Sequence, residues 1–239
     1  MNKKILIIAI IAVLLIGGGI FFAIKNSNIQ KEMTPGDTTY TTSKGNGNQN
    51  NVVNVENEPN KENNNKEEVK DMYSTGTHHA TIEIKNYGTI KLELYADKAP
   101  KTVANFAKLV NEGFYNGLTF HRIIDGFMIQ GGDPLGNGTG GSSETIIGEF
   151  QLNAIRNDIS HVRGVISMAR STRYNSASSQ FFIVHEDSTF LDGQYAGFGK
   201  VTEGIEIVDK ICEDTQVEDD NGTVLKQNQP IIEKITMVD

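Results

Sequence analysis

The large apolar residues of this 239-residue chain are divided by a gap, and the gap decides which part can fold around a core. Met1, Asn2, Lys3 and Lys4 are followed by twenty residues without a charge, 5–24, after which large apolar side chains almost vanish until about residue 77. The intervening stretch, 26–76, is rich in Asn, Thr, Lys and Glu and shows neither the strand nor the helix period. Such a segment cannot bury enough surface to offset its ordering entropy, so it is expected to be a disordered linker. At ~50 residues its r.m.s. reach would be about 35 to 42 Å. A core can form only in 77–239, where one domain is expected.

As a helix rising about 1.5 Å per residue, 5–24 would span about 30 Å, one hydrocarbon core. Residues 1–25 are therefore expected to be a transmembrane signal-anchor. The alternative is a cleaved signal peptide, but its apolar run is normally shorter, roughly 7 to 15 residues, and ends in an A-x-A-like site, which does not follow Ile24. Lys3, Lys4 and the terminal amine favour a cytoplasmic N-terminus. The expected location is the cell membrane, single-pass, with 77–239 outside the cytoplasm; secretion after cleavage is the alternative.

Residues 1–76 hold eight Lys and eight acids, so the net charge of -8 falls on 77–239, where 14 Lys plus Arg face 22 Asp plus Glu. An acidic domain without a basic stripe excludes nucleic acid as the expected partner, because counterion release needs clustered cations. Cys212 is the sole cysteine, so no intramolecular disulfide or Cys-rich zinc site is available. It falls in the apolar register of a helix and is expected to be a buried small hydrophobe.

Within 77–239, Ile82 and Ile84 alternate with polar residues, as do Ile90, Leu92 and Leu94, and Asn86-Tyr87-Gly88 between them reads as a hairpin turn. Pro100 opens a helix whose Val103, Phe106, Ala107 and Val110 share one face and which stops at Gly113. Further strands are expected at 119–124, 126–130, 164–169, 179–184, 195–201 and 231–238, with a second helix at 203–212. Short strands, many glycines and two separated helices point to an antiparallel barrel with helices over its ends.

The densest chemistry lies in 120–133, FHRIIDGFMIQGGD, where the permanent cation Arg122 stands among apolar side chains beside the amide of Gln130. Gly136, Gly138 and Gly141 satisfy G-x-G-x-x-G, but no phosphate-binding helix follows, so a Gly-rich loop lining a groove is the better reading. Asn137-Gly138-Thr139 and Asn221-Gly222-Thr223 fit the glycosylation triplet and are read as turns. His121, His161 and His185, with Asp133 and Asp187, match no metal signature, and no serine sits in G-x-S-x-G.

Residues 120–124, 126–133, 137–141, 176–183 (SASSQFFI), 191–193 (LDG) and 198–201 (FGKV) together resemble the cyclophilins, the cyclophilin-type peptidyl-prolyl cis-trans isomerases, over about 79–239. The resemblance implies a mainly β fold, an eight-stranded antiparallel cyclophilin-like barrel capped by two α-helices, here preceded by the transmembrane helix and linker. It implies that Arg122 is the catalytic arginine, acting with Phe127 and Gln130. Phe127, Met128 and Phe182 would wall a proline pocket with Leu191 at its edge. His121, Ile124, Gly138, Ala169, Arg170, Gln180, Phe190 and Tyr195 would complete the substrate groove, Ala169 and Arg170 along the strand that pairs with the peptide.

Asp125 stands where proline is common, Tyr174 where many relatives have proline, Phe190 at a position that is tryptophan in many eukaryotic members, and Tyr195 in place of a groove histidine. The resemblance makes cyclosporin a candidate ligand, and loss of the indole at Phe190 argues against tight binding. No metal or cofactor is implied. The catalytic domain is expected to be monomeric, and its partners to be proline-containing peptides and unfolded exported proteins. A peptide-binding holdase or surface interaction module with little catalytic role is the alternative function.

Overall fold

In the hairpin, inward and outward side chains alternate as the sequence implies: β1 (Thr77–Ile84) buries His78, Ala80, Ile82 and Ile84, and β2 (Gly88–Tyr95) buries Ile90, Leu92 and Leu94. Asn86 and Gly88 at the turn both have positive φ. The computed structural model describes residues 72–239, so the expected anchor at 1–25 and residues 26–71 of the linker expected at 26–76 lie outside the described residues. Tyr73, on the linker side of the expected boundary, is buried and meets the His78 ring edge-on at 4.9 Å.

α1 (Pro100–Asn111) and α2 (Ile205–Asp214) are separated by β3 (Phe120–Ile124), β4 (Met128–Gly131), β5 (Val165–Met168), β6 (Phe181–Val184) and β7 (Ala196–Glu203), and β8 (Ile232–Met237) ends the chain. All eight strands form one sheet in the order β3-β4-β6-β5-β7-β2-β1-β8, antiparallel throughout. The sheet curls until its edges approach: Thr119 bridges Ile231, Phe120 N–H donates to Pro230 O at 3.0 Å, and Ile232 N–H donates to Leu118 O at 2.8 Å.

Period-2 alternation sends the apolar runs of the central strands to two faces. Ile129, Ile166, Phe181 and Ile183 join the main core inside the curl, while Met128, Val165, Phe182 and Val184 join a second cluster on the other side. Burial on both faces is why 181–184 is continuously apolar. Phe106 of α1 centres the main core, with Tyr115, Phe181 and Phe198 rings at 5.3, 5.8 and 5.3 Å.

α1 runs from Pro100 as expected, buries Val103, Phe106, Ala107 and Val110, and is followed by Gly113 at φ +70. Its first turn has no side-chain cap of its own. Buried Glu149 supplies one from a distance, accepting Lys101 N–H at 2.9 Å, Thr102 N–H at 2.8 Å and the Thr102 hydroxyl at 2.7 Å. Glu149→Ala leaves the buried Thr102 amide and the part-buried Lys101 amide without their acceptor at the positive end of the helix, so a stability loss of about 2 kcal/mol is expected, read as a lower denaturant midpoint at unchanged m.

Several strand ends differ from expectation for local reasons. The expected strand at 126–130 begins at Met128, because Asp125 and Gly126 (φ +72) form a turn closed by Phe127 N–H to Ile124 O at 3.0 Å. Ala169 and Arg170, expected as strand, lie beyond β5, although Ala169 N–H still donates to Gln180 O at 3.0 Å.

Candidate active site

The placement of Arg122 depends on a bulge. Phe120 pairs with Gly131 and Arg122 with Gln130, so His121 is an extra residue in β3. Phe120 and Ile123, three apart, both point into the main core. Strict alternation from Phe120 would have aimed Arg122 into that core as well; the bulge turns it to the other face, beside Gln130.

There the guanidinium is gripped on two sides. Nε donates to Asn221 O at 2.8 Å, and Nη1 donates to Gln130 Oε1 at 3.3 Å with Met128 Sδ at 3.9 Å. Nη2 has no partner among the described residues. Arg122 is only 8% exposed, and burial lowers its pKa to about 10, so it is a cation at neutral pH. Asn221 belongs to a turn laid along the edge of β3: Ile123 N–H donates to Gly222 O and Val224 N–H to His121 O. Gly222 (φ +79) is required, since a Cβ would collide with Ile123 O.

An amide chain runs from Arg122 across the groove. Gln130 Nε2 donates to Gln180 Oε1 at 2.9 Å, and Gln180 Nε2 donates to Gly138 O at 3.1 Å and Gly140 O at 2.7 Å. Asp133 holds the same Gly-rich loop from below, accepting Leu135, Asn137 and Gly138 N–H. Burial alone would raise the Asp133 pKa, but these backbone donors outweigh it and hold the carboxyl below its ordinary value. The loop covers His121, whose ring nitrogens have no partner among the described residues. Burial lowers the His121 pKa to about 4, with Arg122 lowering it further against the pull of Asp133, so the ring is neutral.

His121, Arg122, Gln130, Gly138, Ala169, Arg170 and Gln180 thus line one groove of about 680 Å³. Beside it lies the second apolar cluster, with Phe127, Met128, Ala169, Phe182, Leu191 and Tyr195 buried and Ile124 and Phe190 packed against them. Phe190 covers Phe127 at 5.5 Å. Every expected site residue falls in the groove or this cluster.

Two of them face neighbours in the fold. The Arg170 guanidinium donates twice to Gln194 O and lies over the rings of Phe150, Tyr174 and Tyr195 at 4.9, 5.3 and 4.6 Å. Tyr195 is held between Arg170 and Phe182. Asn221, Asp133 and the groove-lining Leu225, Lys226 and Gln229 were not among the expected binding residues. The turn at 221–223 is legible in the sequence, but its contact with Arg122 is not encoded in any local pattern.

A hydrogen-bonded Ser-His-Asp chain is also present. His161 Nδ1 lies 2.9 Å from Asp192 Oδ1 and Nε2 lies 3.0 Å from Ser167 Oγ. Ser167 is completely buried in β5 and the imidazole stacks on Phe182 at 6.1 Å, so the chain supports the apolar cluster and offers no accessible nucleophile.

The site therefore presents a positioned cation edge and amides along an open groove, with a buried apolar cluster beside it. The family profile described as "Cyclophilin type peptidyl-prolyl cis-trans isomerase/CLD" matches residues 79–237. The chain belongs to that family and is a cyclophilin-type peptidyl-prolyl cis-trans isomerase.

It is 48% identical over 138 residues to peptidyl-prolyl cis-trans isomerase B of Bacillus subtilis, covering 58% of this chain and 87% of that one. It is 46% identical over 146 residues to a peptidyl-prolyl cis-trans isomerase of Helicobacter pylori, covering 60% and 86%. The crystal structure of a Cryptosporidium parvum cyclophilin-type isomerase, determined in the presence of the dipeptide Ala-Pro, superposes with a TM-score of 0.59 at 33% identity, covering 67% of this chain and 99% of that one.

The two titrations bracket a pH profile. Above about 4 His121 is neutral, and Arg122 loses its proton only as pH rises through about 10. kcat/KM on a prolyl peptide is expected to be flat from about pH 5 to about pH 9 and to fall above it. A bell centred near pH 7 in an uncoupled assay would show a titrating group that this geometry lacks. For stability the sign is separate: the depressed His121 value means that its contribution is complete above the unfolded histidine range and fades as pH falls toward about 4.

Proposed function

We propose that the partner-free Nη2 edge of Arg122 is the catalytic group, that the cluster of Phe127, Met128, Phe182 and Leu191 receives the proline ring, and that the groove along Gln130, Gln180 and Ala169 holds the flanking peptide. The observation carrying this reading is a buried guanidinium anchored by Asn221 O and Gln130 with one edge left over, next to a buried apolar cluster.

Resonance in the X-Pro amide sets a barrier of ~18 to 20 kcal/mol to rotation. In the twisted amide the prolyl nitrogen becomes pyramidal and regains a lone pair that the planar ground state does not offer. A donor fixed where that lone pair develops binds the transition state more strongly than the substrate. The rotation itself breaks no covalent bond and transfers no proton.

Turnover in milliseconds against an uncatalysed time of roughly tens of seconds requires about four decades, or ~5.5 kcal/mol. A hydrogen bond to a charged group contributes ~1.5 to 3 kcal/mol. The remainder falls to the apolar pocket, which fixes the ring and excludes water around the guanidinium, and to the amides that align the peptide. Titration with an Ala-Pro peptide, followed by NMR, should shift the Arg122 Nε signal and the side-chain amides of Gln130 and Gln180 most. Shifts confined to another face would overturn the assignment.

The proposed clients are exported or cell-surface chains with exposed X-Pro bonds, reached from the membrane by a signal-anchor at 1–25 and a linker that gives way to the isomerase domain near residue 77. Support comes from the uncharged run 5–24 and the polar composition of 26–76. On this reading the full chain resists alkaline extraction from membranes and its domain is cleaved by external protease in spheroplasts; a soluble, protected chain would refute it.

A further inference from the structure

The turn that leads into Phe127 rests on α2 through one imidazole. His185 Nδ1 accepts Gly126 N–H at 2.9 Å and lies 3.4 Å from Asp125 Oδ1, while Nε2 lies 3.0 Å from Asp209 Oδ1 on α2. With Nδ1 accepting, the ring proton sits on Nε2 and is donated to Asp209, so the Nδ1 lone pair faces the Asp125 turn. Cys212, also on α2, completes a group. A carboxylate oxygen of Asp125, a ring nitrogen of His185 and Cys212 Sγ all lie within 4.8 Å of one another. His185 and Cys212 are buried, whereas the Asp125 side chain is 82% exposed, so the cluster opens to solvent on one side.

We propose that Asp125, His185 and Cys212 form a three-ligand site for a divalent cation of the zinc class, with solvent in the fourth position. Thiolate, imidazole and carboxylate together suit a borderline-soft tetrahedral ion, whereas magnesium and calcium require oxygen ligands. The outer partner is already in place: Asp209 fixes the imidazole tautomer and is itself held by Arg163 Nη1 at 2.7 Å and Nη2 at 2.8 Å, the carboxylate–histidine–metal arrangement.

That pairing leaves Arg163 held by Asp209, with the Asp125 carboxylate on the open side. Tetrahedral bonds of ~2.0 to 2.3 Å place ligand atoms about 3.3 to 3.8 Å apart, so the groups must close by roughly 1 Å. Asp125 Oδ1 and His185 Nδ1, at 3.4 Å, already stand at that spacing, so the closure concerns Cys212 Sγ. On binding, the Cys212 thiol releases its proton to solvent and Gly126 N–H gives up its bond to Nδ1.

Cobalt(II) added to the untagged, reduced, metal-free full-length protein tests the site. Cys212 is the sole cysteine of the chain, so a thiolate-to-cobalt charge-transfer band can come from nowhere else. One equivalent is expected to give that band with the intense visible bands of four-coordinate cobalt, both erased by zinc, and zinc should raise the thermal midpoint. Asp125→Asn, an exposed change that leaves the core untouched, should weaken binding by about tenfold or more, and Asp209→Asn by about 10- to 100-fold. Absence of the band in the wild type, or equal cobalt affinity in wild type and Asp125→Asn, overturns the proposal. The readout is spectroscopic and independent of turnover.

Discussion

Arg122→Ala is expected to lower kcat/KM on a prolyl peptide by about 10²- to 10³-fold, the usual loss when a preorganised donor to a developing charge is removed. Peptide binding should change little, because the lost bond exists only at the twisted amide. The fold should persist, since the side chain faces the groove and not the main core, and the β3 to β4 pairing is made by backbone. Arg122→Lys should recover little of the activity. A lysine carries the charge and three N–H donors, but all radiate from one atom, without the planar fork that reaches Asn221 O through Nε and Gln130 Oε1 through Nη1 and leaves Nη2 for substrate. A protease-coupled assay with a circular-dichroism check of folding reads both effects.

Phe182→Ala should produce the largest combined loss of stability and activity. Its ring is fully buried, flanked by His161 at 6.1 Å and Tyr195 at 5.9 Å, and its backbone pairs with Gln130 on one side and Ser167 on the other. Truncation removes the aromatic support on which His161, Tyr195 and, through Tyr195, Arg170 are arranged. A cost of about 3 to 5 kcal/mol follows for a fully buried phenylalanine, or a thermal midpoint lower by roughly 10 °C or more. Below that midpoint kcat/KM should still be down by about a decade or more, because the proposed proline pocket loses its floor. An unchanged midpoint would show that the second cluster is not a packed core.

Features carried by local periodicity were legible before the structure. The buried faces of β1, β2 and α1, the stop at Gly113 and the buried state of Cys212 follow from alternation, helical spacing and glycine chemistry. The groove residues were reached through resemblance, and the structure gathers them in one place. Features carried by contacts across the chain were not legible. No pattern in FHRII reveals that His121 is the bulge that swings Arg122 outward. Nothing near Pro100 points to Glu149 as the helix cap, nor anything near Arg122 to Asn221 as its anchor, because each pairing is created only when the sheet curls. Arg170 lines the groove as expected, but no pattern around it reveals that three aromatic faces and the Gln194 carbonyl hold its guanidinium.

Arg122 is proposed to bind the twisted amide and not the resting peptide. NMR exchange spectroscopy on one prolyl peptide, with wild type and Arg122→Ala at matched saturation, measures affinity and cis-trans rate in the same sample. The predicted result is similar Kd for both proteins with accelerated exchange only in the wild type. Equal acceleration by both, or wild-type binding without acceleration, would contradict it, the latter leaving a peptide holdase.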